Sequence, residues 1–359
     1  MKIIAFSDLH AHPFRVGPTP AQARAALDKI LSTDGAELIL FGGDLFHAKG
    51  SVPTEALNAV MPPLLRPIES KAQLVAIPGN HDMIGQGSNE SALHLLSLLP
   101  VERGRLFEQP GVFAFRQAIV LCSPYARDLE SRLGELAGLR RQVEEAKSRD
   151  PRRRLILFVH NYLSYADGSP SVPGEENVTP NWLDQLEDKL DEPLDLVLCG
   201  HNHEFFLWRQ PGLERRRCVS IGAPMQHSFG DAGSKRGYVE IILGQGEMAV
   251  THVMLEDAPR FYVGAWGTAT RPIDFVRVTA DRADAARVQG CTVEIIPDPL
   301  PPAAPARLAG LDISSDPAAV LRAYVDRSEE AEERRPPLVA SGLALLREAN
   351  PDLAVGGVK

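Results

Sequence analysis

Asp8-Leu9-His10, Gly43-Asp44, Gly79-Asn80-His81-Asp82, His160 and Gly200-His201-Asn202-His203 place carboxylates, imidazoles and an amide just past runs of apolar residues. Asp8 and His10 stand two positions apart, as do His201 and His203, so each pair can present both side chains to one ion. The donors are enough for two adjacent divalent cations. Two cations bridged by one carboxylate can activate a water and hold a phosphate at once. Mixed carboxylate, imidazole and amide donors suit manganese, iron or zinc better than magnesium, which prefers oxygen alone. No thiolate accompanies them, which argues against a structural zinc site. Each motif alone has a plainer reading: Asp-x-His as a surface turn, Gly-Asn-His-Asp as turn chemistry, His160 as a partly buried histidine. Five motifs in this order, each at the end of an apolar run, point to chemistry instead.

The elements that must position these donors alternate between strand and helix patterns. Lys2–Phe6, Glu37–Phe41, Gln73–Ile77, Arg154–Val159 and Leu194–Cys199 read as buried strands, and the motifs follow them directly. Val112–Phe115 and Ala118–Cys122 read as a strand pair. Helices are expected over Ala21–Leu31, Pro53–Leu65 and Glu90–Leu99. Pro62-Pro63 is expected to bend or end the second of these. Asp128–Arg149 is the clearest helix, with Leu129, Leu133, Leu136, Leu139, Val143 and Ala146 recurring at steps of three and four. Ser164–Pro180 reads as a long loop placed to shape a substrate cleft. From Phe205 to Met254 come strands without helices: Phe205–Trp208, Cys218–Ile221, Tyr238–Leu243 and Ala249–Met254. Alternating units followed by consecutive strands predict an α/β fold of two packed β-sheets flanked by helices. Glycines before Asp44 and Asn80 let the backbone come close to the metals.

The composition shifts near Pro259–Arg271, so a first domain is expected over 1–265. A small strand–helix–strand unit (Asp274–Thr279, Ala283–Val288, Thr292–Ile296) is expected within 270–310, ending in the proline-rich Pro297–Pro305. A mostly helical segment is expected over 311–359, with the acidic run Glu329-Glu330-Ala331-Glu332-Glu333. That segment either binds a partner or packs on its own domain.

Bulk properties set the limits. The 359 residues are 44% hydrophobic and 24% charged, ordinary for a globular protein with a sizeable core. A formal net charge of -9 gives no overall basic signature for nucleic acid. The basic clusters Arg152-Arg153-Arg154 and Arg215-Arg216-Arg217 read as solvated surface or, alternatively, as phosphate contacts. Cys122, Cys199, Cys218 and Cys291 are scattered without a C-x-x-C pair, and Cys122 and Cys199 read as small core residues. A reducing, cytoplasmic setting with no membrane segment is expected.

The motif set resembles the calcineurin-like metallophosphoesterase superfamily and, within it, the SbcD-type nucleases of DNA repair. Gly42-Gly43-Asp44-Leu45-Phe46-His47, Ile221-Gly222-Ala223-Pro224-Met225-Gln226-His227-Ser228-Phe229-Gly230-Asp231, Lys235-Arg236-Gly237-Tyr238 and Pro259-Arg260-Phe261 carry the finer likeness. The resemblance implies the αββα sandwich of that superfamily. It implies a first metal on Asp8, His10 and His203, a second on Asn80, His160 and His201, and Asp44 bridging both. It implies attack on phosphorus by a hydroxide activated by the two metals, manganese foremost, with magnesium, iron or zinc as alternatives. His81 would protonate the leaving oxygen and His47 would steady His81, while Asp82 would buttress its turn. DNA would be the substrate and an SbcC-type coiled-coil ATPase the partner, with a homodimer left open. A small-molecule phosphodiesterase or phosphatase of the same superfamily is the alternative reading, since the ligand set serves both. Ala11-His12-Pro13-Phe14 departs from the Leu-Gly pair usual in SbcD relatives, and His12 there is either an added substrate contact or an exposed loop residue.

Overall fold

A computed structural model describes residues 1–65, 72–83, 90–164, 177–209, 216–244, 246–263, 271, 273–279, 291–296 and 339. The chain divides into two compact units, Met1–Glu294 and Ile295–Lys359. The expected 283–288 helix, the 297–305 linker and, except for Val339, the 311–359 helical segment lie outside the described residues, as do 165–176 of the long loop.

The first unit opens with β1 (Lys2–Phe6), α1 (Pro20–Leu31), β2 (Leu38–Phe41), α2 (Thr54–Leu65), β3 (Gln73–Ala76) and β4 (Gly104–Leu106). It continues with β5 (Gly111–Phe115), β6 (Ala118–Ser123), α3 (Leu129–Ala137), α4 (Arg140–Arg149), β7 (Arg154–Val159) and α5 (Pro180–Leu190). Then follow β8 (Leu196–Cys199), β9 (Phe206–Arg209), β10 (Arg217–Ser220), β11 (Gly237–Leu243) and β12 (Met248–Met254). The last described strands are β13 (Phe261–Val263), β14 (Phe275–Thr279) and β15 (Thr292–Ile296).

One sheet runs β12-β11-β1-β2-β3-β4, a second β5-β6-β7-β8-β10-β9, and a third β13-β14-β15. Alternation along the strands fixes the layering. In β1 to β3, Ile4, Phe6, Ile39, Phe41, Leu74 and Ala76 pack with α1 and α2. Their neighbours Ile3, Ala5, Leu38, Leu40 and Val75 pack instead with Val120, Ile156, Phe158, Leu196, Leu198 and Val219 of the second sheet. The far face of that sheet meets α3, α4 and α5 through Leu129, Leu136, Val143, Leu183 and Leu186. The order is therefore helix, sheet, sheet, helix, as expected. Strands buried on both faces explain the near-continuous apolar runs.

Three local expectations change. The Asp128–Arg149 helix is two helices, broken at Gly138-Leu139, where Gly138 caps α3 in place of a residue with higher helix propensity. Pro62 and Pro63 lie close to the end of α2, which spans Thr54–Leu65. They fall in its last turn, and burial of Met61, Pro63 and Leu64 offsets the lost N–H bonds. The 90–99 helix is a 3₁₀ turn, His94–Leu98. Helix α5 was not foreseen, although Thr179 caps it, Pro180 opens it, and Leu183, Leu186 and Leu190 keep helical spacing. The glycine- and proline-rich segment before it hid that pattern.

Arg152 is a solvated surface residue, as expected, but other members of the basic clusters are used within the fold. Arg216 is fully buried and reaches Asp184 at 2.6 Å and Glu187 at 3.3 Å. Arg154 pairs with Asp195 at 2.8 Å, and Arg153 donates to the carbonyls of Arg116 and Ala146. The four cysteines are free and buried. Among the described residues no helix is long and apolar enough to cross a membrane.

Candidate metal centre

Strand register brings the motifs to one edge. Phe6 of β1 pairs with Phe41 of β2, and Phe41 with Ala76 of β3, all parallel. Val159 of β7 pairs with Cys199 of β8, again parallel. Asp8, Asp44, Asn80, His160 and His201 each follow within four residues of those level points. Loops after parallel strands share one edge, where sites of α/β folds form. The exits of β1 and β2 then run side by side: the N–H groups of Asp8, His10 and Ala11 donate to the carbonyls of Gly43, Asp44 and Leu45 at 2.8–3.0 Å.

Two donor sets result. Asp8, His10 and His203 form one, and Asp44, His160 and His201 the other, with the ligand atoms of each within 4.8 Å of one another. His10 Nε2 and His203 Nε2 are 3.0 Å apart, and each lies 3.9 Å from Asp8 Oδ1. Asp44 Oδ2 lies 3.6 Å from His10 Nε2 and 3.5 Å from His160 Nε2, so one carboxylate oxygen faces both sets. The Asn80 amide oxygen sits 3.0 Å from Asp44 Oδ2 and 3.2 Å from His201 Nδ1, acceptor facing acceptor. Turning the amide would let its nitrogen donate to both and its oxygen accept from Lys49 at 3.1 Å. A cation between the three atoms satisfies the oxygen-inward arrangement. Asp8 Oδ1 and His160 Nε2 are buried without a hydrogen-bond partner. Orphaned lone pairs converging at these spacings fit a pair of divalent ions.

Neighbours set the tautomers, and without cations the buried Asp44 carboxylate takes over the charge balance. His160 Nδ1 donates to the Gly42 carbonyl, which leaves the Nε2 lone pair for Asp44's side of the site. Burial opposes a charge on His160, but Asp44 beside it pushes the imidazole up to about 9. Burial would raise Asp44, yet His160, His10 and His81 hold its carboxyl far below the usual range. Burial holds His10 well below its usual value against the pull of Asp44. Asp82 is not aimed at the ions. It accepts from the N–H groups of Asp44 (2.6 Å), Leu45 (3.0 Å), Phe46 (3.4 Å) and Gly79 (3.0 Å). Burial and the nearby Asp44 charge push its carboxyl up to about 7.

His81 and His47 stand beside the donors. The His81 N–H donates to Asp44 Oδ1 at 2.8 Å, and its Nδ1 donates to the His47 carbonyl. The two rings stack with centroids 5.5 Å apart, and His81 lies edge-on to His10 at 4.8 Å. His10, His47 and His81 also cluster within 4.8 Å. It is thus the backbone of His47, as well as its ring, that holds His81. Burial, with His81 next, lowers His47. His12 lies edge-on to Phe14 at 4.9 Å and sits 5.5 Å from the His47 ring, at the margin of the cluster. Gly79 must lack a side chain, since a Cβ there would collide with Asp44 and His160.

One residue was missed. His227 Nε2 donates to the Asp8 carbonyl at 3.1 Å, and its ring lies 5.3 Å from His10 and 5.5 Å from His203. Burial, with His203 next, lowers it to about 3. The signal was present in the 221–231 segment, but His227 sits too far past its strand to share the pattern of the other motifs.

A family model described as calcineurin-like phosphoesterase matches residues 1–205. This chain belongs to that family. Calcineurin-like phosphoesterases are metal-dependent hydrolases with a dinuclear site, and the two donor sets here are candidates for it. No curated protein sequence matches the chain significantly. Among solved structures, the phosphoesterase is similar to GAP50, the anchor in the inner membrane complex of Plasmodium (12% identity, TM-score 0.48, 72% of this chain and 85% of that one). It is similar to a dimetal phosphatase from Danio rerio (11%, 0.49, 70% and 95%). It is also similar to a 5'-nucleotidase of Staphylococcus aureus (13%, 0.42, 70% and 52%). Likeness at this level concerns the fold and leaves the substrate open.

Proposed function

We propose that this phosphoesterase hydrolyses phosphodiester bonds of DNA with two divalent metals, manganese foremost. Asp8, His10 and His203 would hold one ion, Asn80, His160 and His201 the other, and Asp44 both. When bound, such ions supply Lewis acidity toward water and offset charge on the non-bridging phosphate oxygens. His81 keeps a proton at Nδ1 in its bond to the His47 carbonyl, so the proton given to the leaving oxygen comes from Nε2.

The observation that carries the DNA reading is the seating of the 221–236 segment, the part of the sequence most like SbcD nucleases. Its His227 holds the backbone of the ligand Asp8. Asp231 accepts from the N–H groups of His227 (2.8 Å) and Ser228 (3.0 Å) and pairs with Arg236 at 2.6 Å. This segment therefore forms part of the site's wall. The same likeness supports a coiled-coil ATPase partner, for which co-purification is the check.

The test is a labelled DNA hairpin against a nucleotide diester, each with manganese or magnesium. Faster turnover of the hairpin per active site supports the reading. Turnover of the small diester alone would move the assignment to the small-molecule phosphodiesterases.

A further inference from the structure

Past His227 the chain builds a second concavity, away from the metal donors, whose largely apolar wall carries a few basic side chains. A cavity of about 260 Å3 is lined by Gln226, Lys235, Arg236, Leu255, Arg260 and Phe261 among others, and among the described residues no carboxylate lines it. Its wall is fixed. Gln226 is buried, its amide donating to the Ser234 carbonyl at 2.8 Å and its oxygen accepting from the Phe261 N–H at 2.6 Å. Phe229, Phe261 and Phe275 pack together beside it, with ring centroids 4.9 and 4.5 Å apart.

Arg236 is the informative residue. Its side chain is only 5% exposed, and Nη2 reaches Asp231 Oδ1 at 2.6 Å. Its Nε and Nη1 are buried without any hydrogen-bond partner. Buried donors are almost always paired, so this guanidinium is held by Asp231 with two covered donors unsatisfied, and the cations that the cavity itself can offer an oxyanion are Lys235 and Arg260. Asp231 balances one positive charge, which leaves Lys235 and Arg260 to set the sign of the cavity. Glu204 and Asp8 also act on Arg236 through space. Arg153, Arg154, Arg216 and Arg217 of the basic clusters are taken up by contacts within the fold.

We propose that this cavity is an anion site that takes a non-scissile phosphate of the DNA strand. The proposal rests on the DNA reading above. Gln226 and His227 are adjacent in sequence, so one short segment borders both the cavity and the metal donors. A strand lying across that segment would be held at two phosphates, one cleaved and one gripped. Phosphate contacts of this kind position the substrate without reading its sequence.

The test uses a Lys235→Ala/Arg260→Ala double variant, which leaves the Asp231–Arg236 pair intact, with Arg236→Lys as a second variant. Binding of a fluorescent hairpin is titrated against salt in the His81→Ala background, so that no cleavage intervenes. The double variant should weaken binding by about tenfold and flatten the salt slope by about 2, one for each lost phosphate-facing cation. With His81 intact, kcat/KM for bis(4-nitrophenyl) phosphate should be unchanged, because that diester is too small to span both sites. Unchanged affinity and salt slope would overturn the cavity assignment alone, as would an equal loss on the small diester. A wild-type protein that binds no hairpin would instead remove the DNA reading and this inference with it.

Discussion

At the scale of single residues the site is under backbone strain. Asp8, His10, Asp44 and His201 have φ of 59°, 47°, 55° and 71°, the left-handed region that side chains other than glycine avoid. Each such residue costs about 1–3 kcal/mol, borne only where surrounding contacts insist on it. Here those contacts are the Gly43 and Asp44 carbonyls, Asp82 and His227, and they turn four candidate ligand side chains toward the two donor sets. Division of labour follows from the contacts. His81→Ala should lower kcat by about 10²–10⁴-fold, since it removes a proton donor and no metal ligand. Metal content by elemental analysis should stay at the wild-type level; loss of both metals would make His81 a ligand instead. Asp44→Ala removes the one oxygen facing both donor sets, so isothermal titration should show both binding events weakened together. One event left at full affinity would show that Asp44 does not bridge.

At the scale of elements, strands deliver residues and loops lock them. The parallel register of β1, β2 and β3 and of β7 and β8 makes the motifs neighbours, while Asp82 ties the β2 and β3 exits together through four N–H groups. Asp82→Ala should leave those buried donors unpaired and lower stability by on the order of 2 kcal/mol, read as an earlier urea midpoint. Metal affinity should fall as well, because Asp44 would lose its anchor. Local sequence announced most of these elements. The strand runs, α1 and the β5–β6 pair were legible from apolar periodicity and caps, whereas the 128–149 break and α5 were not. In the first case the apolar period continues through Gly138, so the pattern alone gave no reason to stop. In the second the signal lay after a loop-like stretch whose composition dominated the window.

At the scale of the molecule, four layers put a charged, strained edge on an otherwise apolar body. Buried acceptors facing one another raise the free energy of the metal-free protein, and bound cations lower it. Chelation should therefore abolish turnover and lower Tm by several degrees, since ligand at a hundred times Kd contributes about 2.7 kcal/mol. Restored manganese should recover both, and a Tm unmoved by metal would argue against ions at this edge. The sequence by itself determined the donor types, their order, and the apolar alternation that must bury each sheet on two faces. Those are local properties, written in neighbours and short periods. Only the tertiary structure decided that Asp44 Oδ2 faces both donor sets, that His227 holds Asp8 from 219 residues away, and that Arg236 lines a cavity with two unpaired donors. Such contacts depend on how two sheets register and stack, and no spacing along the chain encodes that distance.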